Sequence, residues 1–297
     1  MKNDQVLNDF KNFFDQKFQA FIEESYPEGS GVLNDAINYA LRGNGKRVRP
    51  LLVFLVNHAL GGKKEEALAP AIAVEMVHTY SLVHDDMPIL DDDDLRRGRK
   101  TTHVVFDEPT ALLVGNSILT DAFSLVSGDR FPSTLNSEQK NLMILDLAKS
   151  SGSSGMVLGQ MLDLYWTQKL GFAKEDLDKI HLNKTGKLLG CSCALGALSF
   201  NVDSSTKDIM KNFGEILGLS FQIIDDILDL STETGKSLGK DQEQGKLTYL
   251  SLYNRETAQE LASKKVDEAL SLIEKSSFLV QKELLLAFVK SLLKRTY

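Results

Sequence analysis

The chain has little cysteine, little proline and no excess of positive charge, and each shortage excludes a class of protein. Its only two cysteines, Cys191 and Cys193, stand in one apolar stretch, where reduced buried thiols are expected rather than a disulfide or a metal pair. The net charge of −7 argues against nonspecific nucleic-acid binding, which depends on phosphate neutralisation by a basic surface. With 6 prolines and no alternating apolar segments between hairpin turns, the sequence also lacks the pattern of a β-rich protein.

Long uncharged apolar runs are missing as well. The best candidate for a membrane span, residues 67–83, contains Glu75 and His78, and a spanning helix needs a longer stretch without charge. The N-terminal residues carry scattered charges and no apolar segment of the kind that a secretion signal has. We therefore expect a cytoplasmic protein with no membrane span and no nucleic-acid partner.

Apolar residues at helical spacing are what the chain has in abundance. Apolar residues make up 42% of the sequence and charged residues 25%, which is typical of a globular protein with a sizeable core. Leu7, Phe10, Phe14 and Phe18 recur every three or four residues and predict an amphipathic opening helix. Further helices are predicted over residues 31–42, 50–60, 65–85, 109–128, 137–150, 155–168, 174–200, 205–230, 245–253, 256–275 and 279–295. The string SSGSSG is too short to separate domains, so we expect one all-α domain over residues 1–297.

Two aspartate-rich segments stand out, HDDMPILDDDDLRRG at 84–98 and FQIIDDILD at 221–229. In the second, Asp225 and Asp229 are four residues apart and share one helix face among apolar neighbours. Buried carboxylates without partners are very costly, and no Lys or Arg lies within one turn to neutralise them. Because carboxylate oxygens are ligands that Mg²⁺ prefers, the second segment predicts a metal site.

The first aspartate-rich segment can form a metal site only if the chain turns between its aspartates. Asp85 and Asp91 are six residues apart and would not share a face of a straight helix. Pro88 lies between them and disrupts a helix, so we expect the chain to turn and bring Asp91 back toward Asp85. The later aspartates of the segment can pair with the arginines that follow; these residues are Asp93, Asp94, Arg96 and Arg97.

Basic residues recur near these acidic segments. The string GNGKRVRP puts Lys46 and Arg49 at a predicted helix start, and KTGK at 184–187 interrupts an apolar stretch. The planar guanidinium group of arginine, with its paired N–H donors, and the compact ammonium group of lysine both suit diphosphate oxygens. The basic groups exceed what one metal-bound diphosphate needs, so the sequence predicts two anionic groups, one held through Mg²⁺ and one held directly. The loop after the second acidic segment adds Lys236, Lys240 and Lys246.

Taken in order, these strings resemble the trans-prenyltransferases, and among them most of all the bacterial farnesyl diphosphate synthases. The resemblance covers about residues 28–250. It implies the isoprenoid-synthase fold, a single bundle of mostly antiparallel helices around a deep central cavity, usually as a homodimer. The strings that carry it are GKRVRP, EMVHTYSLVHDDMPILDDDDLRRGRKTTH, GQMLDL, KTG, FQIIDDILD and DQEQGKLTY.

The resemblance implies that Mg²⁺ binds the diphosphate of an allylic substrate, as a cluster of three ions for which Mn²⁺ is an alternative. The metal ligands it implies are Asp85, Asp86, Asp91, Asp225 and Asp229. The catalytic residues it implies are Asp85, Asp91, Asp225, Lys184 and Arg96. The allylic diphosphate would contact Arg96, Lys184, Thr185, Gln222, Lys236 and Lys246.

The same resemblance implies a second substrate and a product. Isopentenyl diphosphate would be held by Lys46, Arg49, His78 and Arg97. The allylic diphosphate would ionise to a cation, the isopentenyl double bond would attack it, and a proton would be lost. Tyr80 and Ser81, shortly before Asp85, would form the wall that stops elongation, which predicts a C15 product, (2E,6E)-farnesyl diphosphate.

The sequence departs from the family pattern at Asn44, Asn116, Asp121 and Leu158, and the loop from Leu230 to Gly235 is shorter than usual. None of these departures removes a predicted ligand or diphosphate contact. We expect them to affect the turnover rate and the shape of the cavity near Gln160.

Other functions are compatible with parts of this pattern. A geranyl or geranylgeranyl diphosphate synthase would differ only in cavity depth. A class I terpene cyclase needs only one diphosphate site. The basic residues Lys46, Arg49 and Arg97, which together would make a second anion site, argue against it. A noncatalytic partner subunit of a prenyltransferase typically loses an aspartate cluster, and both are intact here.

Overall fold

The chain folds into α-helices joined by short connections, as its apolar spacing predicts. The computed structural model describes residues 2–43, 45–131, 135–167, 169, 171–229 and 247–293, without the side chains of residues 2–4, 229 and 293. The elements of these residues are α1 (Lys2–Ser25), α2 (Val32–Leu41), α3 (Val48–Ala59), α4 (Leu68–Asp85), β1 (Leu95–Arg96), β2 (Arg99–Lys100), α5 (Thr102–Val105), α6 (Glu108–Ser127), α7 (Ser137–Ser151), α8 (Met156–Trp166), α9 (Lys174–His181), a π-helical turn (Leu182–Gly186), α10 (Lys187–Leu198), α11 (Ser204–Asp229), α12 (Tyr249–Leu252), α13 (Arg255–Lys275) and α14 (Glu283–Leu293).

Side-chain caps fix where several helices begin. The carboxylate of Asp107 accepts a hydrogen bond from the Thr110 backbone N–H at 2.7 Å, at the start of α6. Asn136 and Gln139 form a reciprocal capping box at the start of α7, with both distances 2.9 Å. Such caps satisfy backbone donors that a helix leaves unpaired at its first turn. The local sequence therefore contributes to both boundaries, and at α7 the Gln139 side chain also donates to the Leu198 carbonyl at 3.0 Å.

Helix α4 lies at the centre of the bundle. It packs against α3, α6 and α10, and the run Ala71–Val74 has no exposed surface. A helix that is apolar all round is a buried helix. Since α4 also carries His78, Tyr80 and Asp85, the sequence places polar groups of the predicted site inside the bundle.

The phenylalanine stripe of α1 is part of the core, as predicted. Phe14 and Phe18 are 0% and 1% exposed, and the ring of Phe14 meets Phe54 of α3 edge-on with centroids 6.2 Å apart. The rings of Phe14 and Phe18 also stack on each other, with their centroids 5.2 Å apart. Helix α1 is thereby attached to α3, whose first residues belong to the predicted site.

Three local features differ from the sequence prediction. The predicted helix 174–200 is divided by the π turn at Leu182–Gly186, and such turns are frequent at functional sites. The predicted helix 245–253 is helical only over Tyr249–Leu252 among its described residues. A two-stranded ribbon, β1–β2, reverses at Arg97 and Gly98, whose φ angles are +53° and +76°. Positive φ at both central residues defines a tight hairpin turn, and strand periodicity cannot appear in two-residue strands.

Two further expectations can be compared with the structure. Cys191 and Cys193 are buried and unbonded in α10, as predicted. Residues 67–83 are not the best candidate for a membrane span: α6 is long and apolar enough by length and composition, and 39% of its apolar window is buried in the bundle. A core helix of a soluble protein has the same properties, so this resemblance to a span is weak.

Candidate active site

The first acidic segment turns as its proline predicts. Helix α4 ends at Asp85, and the backbone N–H of Asp91 donates to the carbonyl of Asp85 at 2.9 Å. The N–H of Asp93 likewise donates to the carbonyl of Asp86 at 3.1 Å. The turn around Pro88 thus brings Asp91 back beside Asp85, which confirms the predicted path of the chain.

Asp85 and Lys184 line one cavity of about 370 Å³ between α4, α8 and the π turn. Burial raises the pKa of Asp85 to about 6; the positive charge of Lys184 opposes this rise and the neighbouring Asp91 carboxylate adds to it. A carboxylate that titrates so high lacks the hydration or cation that it needs. Most of the remaining lining is apolar or weakly polar; it includes Tyr80, Ser81, His84, Leu90, Met156, Val157, Gln160, Met161, Leu164 and Thr185.

Lys184 is positioned by α8. Its Nζ donates to Asp163 Oδ2 at 2.5 Å. Burial alone would lower the pKa of Lys184, but Asp163 and Asp85 outweigh it, and the pKa lies above its ordinary value. The two segments are in close backbone contact, because a Cβ added to Gly159 of α8 would lie 2.1 Å from the Lys184 backbone nitrogen. The lysine is therefore a fixed cation in the cavity wall.

Helix α11 reaches the same cavity wall. The hydroxyl of Thr185 donates to Gln222 Oε1 at 3.1 Å, and Gln222 Nε2 donates to Asp226 Oδ1 at 3.3 Å. Asp225 is exposed and follows Gln222 by three residues, which places both on the same side of the helix. Asp226 is only 4% exposed and also accepts from the Tyr249 backbone N–H at 2.8 Å. Asp226 thus holds the segment after the second acidic cluster, while its neighbour Asp225 faces outward.

A second set of cations adjoins this cavity. Arg49 and His78 line it, while His78 and Arg97 line a smaller pocket beside α2. Burial lowers the pKa of Arg49 to about 10, with Glu75 opposing and Arg97 contributing. Burial also lowers the pKa of His78, and the charges of Arg49 and Arg97 lower it further. A neutral His78 among converging arginines is an arrangement that favours binding an anion.

Arg96 and Asp86 are paired with each other in this structure. Asp86 Oδ1 accepts from Arg96 Nε at 2.7 Å and from Arg96 Nη2, and Arg96 also pairs with Asp93 at 3.2 Å. The predicted pairing of Asp93 with an arginine is confirmed. Because Asp86 is 4% exposed and already engaged, its geometry favours holding Arg96; its metal role stays a prediction.

Several predicted residues lie outside what the structure describes. These are Asn44, Lys236, Lys240, Lys246, the loop Leu230–Gly235 and the side chain of Asp229. Lys46 is exposed at the segment before α3.

The described residues offer suitable oxygen ligands for Mg²⁺ but do not by themselves form a complete coordination site. Among the side chains that the structure describes, no three His, Cys, Asp or Glu residues lie close enough together to hold a metal ion by themselves. Mg²⁺ is usually held by one or two carboxylates together with substrate phosphates. Asp85, Asp91 and Asp225 supply oxygen donors of the required kind, so a site completed by the substrate is compatible with this structure.

Sequence reasoning missed three residues that shape the site. Asp163 holds Lys184, Asp226 anchors α12 to α11, and Glu75 lies among the arginines. Asp163 belongs to the quoted string GQMLDL, which was the available signal. Asp226 and Glu75 likewise belong to quoted strings, FQIIDDILD and EMVHTYSLVHDDMPILDDDDLRRGRKTTH, but the sequence does not show their contacts, which come from distant elements.

The departures from the family pattern that fall on described residues, Asp121, Asn116 and Leu158, lie away from these contacts. Asp121 accepts a hydrogen bond from the hydroxyl of Tyr26 at 2.8 Å and so joins α6 to the end of α1. Asn116 is exposed on α6, and Leu158 is partly buried next to Gly159. None of the three lines the cavity.

An all-α bundle with carboxylates and cations around one cavity defines a class of enzymes that act on diphosphate esters, and known proteins support this class. A crystal structure of a geranyltransferase from Helicobacter pylori complexed with magnesium and isoprenyl diphosphate superposes with a TM-score of 0.81 at 30% identity, over 97% of both chains. The fold is therefore that of the isoprenyl synthases.

Sequence comparison gives the family. The profile of the polyprenyl synthetase family matches residues 30–284, which extends the predicted 28–250 toward the C-terminus. A farnesyl diphosphate synthase of Micrococcus luteus is 40% identical over 88% of this chain and 87% of its own. A chloroplastic geranylgeranyl pyrophosphate synthase of Capsicum annuum is 40% identical over 82% of this chain and 66% of its own length. The chain belongs to the polyprenyl synthetase family, and it is a prenyltransferase.

Proposed function

We propose that the protein condenses isopentenyl diphosphate with dimethylallyl diphosphate and then with geranyl diphosphate, giving (2E,6E)-farnesyl diphosphate. The observation that supports this most is the neighbourhood of two anion sites. Asp85 and Lys184 line the same cavity as Arg49 and His78. Two diphosphates bound there would lie side by side, and holding two reactants together is itself a large catalytic effect. The similarity to a bacterial farnesyl diphosphate synthase supports the same substrates.

The residues of the chain have distinct tasks in this reaction. Lys184, fixed by Asp163, stabilises the negative charge of the departing diphosphate, and Thr185 and Gln222 lie beside the reacting carbons. Magnesium, when bound by the aspartates and the diphosphate, supplies further charge stabilisation to the leaving group. The apolar cavity wall keeps water from the allylic cation. The released diphosphate takes up the proton, since no side chain of the motifs is a suitable base.

The metal ligands we propose are Asp85, Asp91 and Asp225, with Asp229 supporting them, and a cluster of three Mg²⁺ for which Mn²⁺ can substitute. Their support is the turn that joins Asp91 to Asp85 and the position of Asp225 on α11. The magnesium-bound structure of the Helicobacter relative supports the ion. Diphosphate contacts from Arg96, Lys236 and Lys246, and from Lys46 and Arg97 to isopentenyl diphosphate, belong to the same proposal.

The decisive test removes one charge at a time from the acidic segments. Asp85→Asn and Asp225→Asn should each lower kcat by about 100-fold or more, because an electrostatic contact to the leaving group is lost. Activity is measured with isopentenyl and geranyl diphosphates and Mg²⁺, with chromatography of the dephosphorylated products. Asp94→Asn, an exposed aspartate of the same segment, is the matched control and should stay within twofold. Ordinary turnover by both site variants would reject the metal assignment.

The C15 product depends on the cavity wall. Tyr80 lines the cavity and is 6% exposed, and its ring meets His84 edge-on with centroids 5.8 Å apart. Ser81 lines the same wall. A geranylgeranyl diphosphate synthase, the alternative, is not favoured: the Capsicum relative matches 82% of this chain, whereas farnesyl diphosphate synthases of several bacteria match 86–94% of it. Product analysis of the unmodified enzyme decides between the two.

A homodimer is the proposed assembly. Large apolar side chains are exposed on the adjoining helices α5 and α6, and these are Val104, Val105, Leu112 and Leu113. Exposed apolar patches commonly mark interaction surfaces, and a two-fold dimer would bury the same face of both copies. A cytoplasmic location and a single polyprenyl synthetase domain over residues 1–297 are part of this proposal.

A further inference from the structure

Arg47 stands between two predicted substrate-binding residues, Lys46 and Arg49, yet its own side chain is already engaged. It is the residue before α3, with a left-handed φ of +52°, and its side chain is 10% exposed. This backbone conformation is disfavoured for residues other than glycine. A non-glycine residue keeps it only where its surroundings hold it in place.

Two carboxylates from different helices hold the Arg47 guanidinium. Its Nε donates to Asp15 Oδ1 of α1 at 2.9 Å, and its Nη1 donates to Glu75 Oε1 of α4 at 2.7 Å. The guanidinium carbon also lies 5.7 Å from the ring centre of Phe14 and 5.3 Å from that of Phe18. The planar fork of arginine suits such a bridge, which a lysine cannot copy.

The segment before Arg47 lies directly on the same groups. A Cβ added to Gly45 would be 2.7 Å from Arg97 Nη1 and 3.6 Å from Glu75 Oε1. Glu75 is 3% exposed, and its negative charge raises the pKa of both Arg49 and Arg97 against the effect of burial. Glu75 therefore lies within the cationic set and holds Arg47 as well.

We propose that Arg47, held by Asp15 and Glu75, is a positioning residue for isopentenyl diphosphate: it fixes the segment that presents Lys46 and Arg49, and it makes this second substrate site depend on α1. The inference rests on the isopentenyl diphosphate site proposed above. Asp15 precedes the part of the chain that the family profile matches, so this connection is carried by the N-terminal helix.

The test is the Michaelis constant of each substrate in an Asp15→Asn variant. KM for isopentenyl diphosphate should rise about fivefold, as expected for losing one partly exposed ion pair. KM for geranyl diphosphate and kcat should stay within twofold, because Lys184 and the aspartates are untouched. Asp15→Glu should restore most of the affinity, and Arg47→Gln should raise the same KM by more than Asp15→Asn does.

Two control variants separate this role from general attachment of α1. Glu24→Gln removes another α1 carboxylate that pairs with an arginine, at 3.0 Å from Arg130 Nη2, and it should change neither KM. Lys11→Gln removes the second partner of Asp15, at 2.6 Å, and should also leave both KM values unchanged. Thermal unfolding of every variant shows whether stability and KM change together.

Each outcome decides the inference. If Asp15→Asn leaves KM for isopentenyl diphosphate unchanged, or alters both KM values and kcat in parallel, Arg47 does not position this site. Arg49→Gln distinguishes the two proposals. If Arg49→Gln raises that KM and Asp15→Asn does not, only the inference fails; if Arg49→Gln leaves it unchanged, the substrate site itself is wrongly placed and the inference falls with it.

Discussion

Neighbouring aspartates in this protein have different surroundings because successive residues of a helix point in different directions. Asp226 is buried and accepts a hydrogen bond from the first residue of α12, whereas Asp225 is exposed. Asp86 is paired with Arg96, whereas Asp85 lines the cavity with Lys184. In each DD pair, therefore, one carboxylate is engaged by residues of the scaffold, and the other belongs to the proposed metal site. The DD sequence motif alone does not show which of its two aspartates has which role, because that depends on how the helix is oriented in the bundle.

The wall residue Tyr80 gives a prediction about product length. Tyr80→Ala removes a ring from the cavity lining, so products longer than C15 should form. The measurement is chromatography of the dephosphorylated alcohols, and Phe10→Ala, which removes an aromatic ring outside the cavity, is the control. An unchanged C15 product would show that another side chain stops elongation.

The two cysteines give a prediction about reactivity. Burial raises the pKa of the Cys191 thiol to about 12 and raises that of Cys193 as well. The thiolate is the reactive form, so between pH 7 and pH 9 neither thiol should ionise or react with a thiol reagent in the folded protein. When the protein is unfolded in guanidinium chloride, titration with the same thiol reagent should detect two reactive thiols. Rapid reaction of either one without denaturant would contradict the buried position.

At the scale of elements, the contact between α8 and the π turn decides where Lys184 stands. The sequence predicted one helix through the string KTGK, but the structure interrupts it at Leu182–Gly186. The signal was absent because a single π turn of 5 residues is too short to show a periodicity in the sequence. Its position follows from tertiary contacts, chiefly the approach of Gly159 and the ion pair of Asp163.

Gly159→Ala tests this contact. The added methyl would overlap the Lys184 backbone, so we expect a loss of about 1–3 kcal/mol of stability from overpacking and a kcat about tenfold lower or worse from the displaced lysine. Circular dichroism melting and steady-state kinetics measure the two effects. Gly128→Ala is the control, since its added methyl would lie 3.2 Å from one carbonyl at the end of α6. A fully active Gly159→Ala enzyme would exclude the tight contact.

At the scale of the whole molecule, the exposed face of α5 and α6 gives a prediction about assembly. Leu113 is 56% exposed, and a charge buried there in a dimer would be costly. Leu113→Glu should therefore yield monomers by light scattering at concentrations where the unmodified protein is dimeric. Val280→Glu changes an apolar residue that is 68% exposed elsewhere and should leave the assembly unchanged. A dimer that tolerates Leu113→Glu must use another face.

The sequence by itself determined most of the helices, the family and the residue types of both proposed anion sites. Apolar spacing and capping residues act over one or two turns, and the acidic and basic strings keep their order along the chain. Only the tertiary structure decided which aspartate faces the cavity, where the π turn interrupts the lysine segment, and that Arg47 joins α1 to α4. Those facts depend on contacts between residues far apart in sequence, such as Asp15 with Arg47 and Asp163 with Lys184. No local pattern encodes them, because the free energy of such contacts depends on how distant helices pack together.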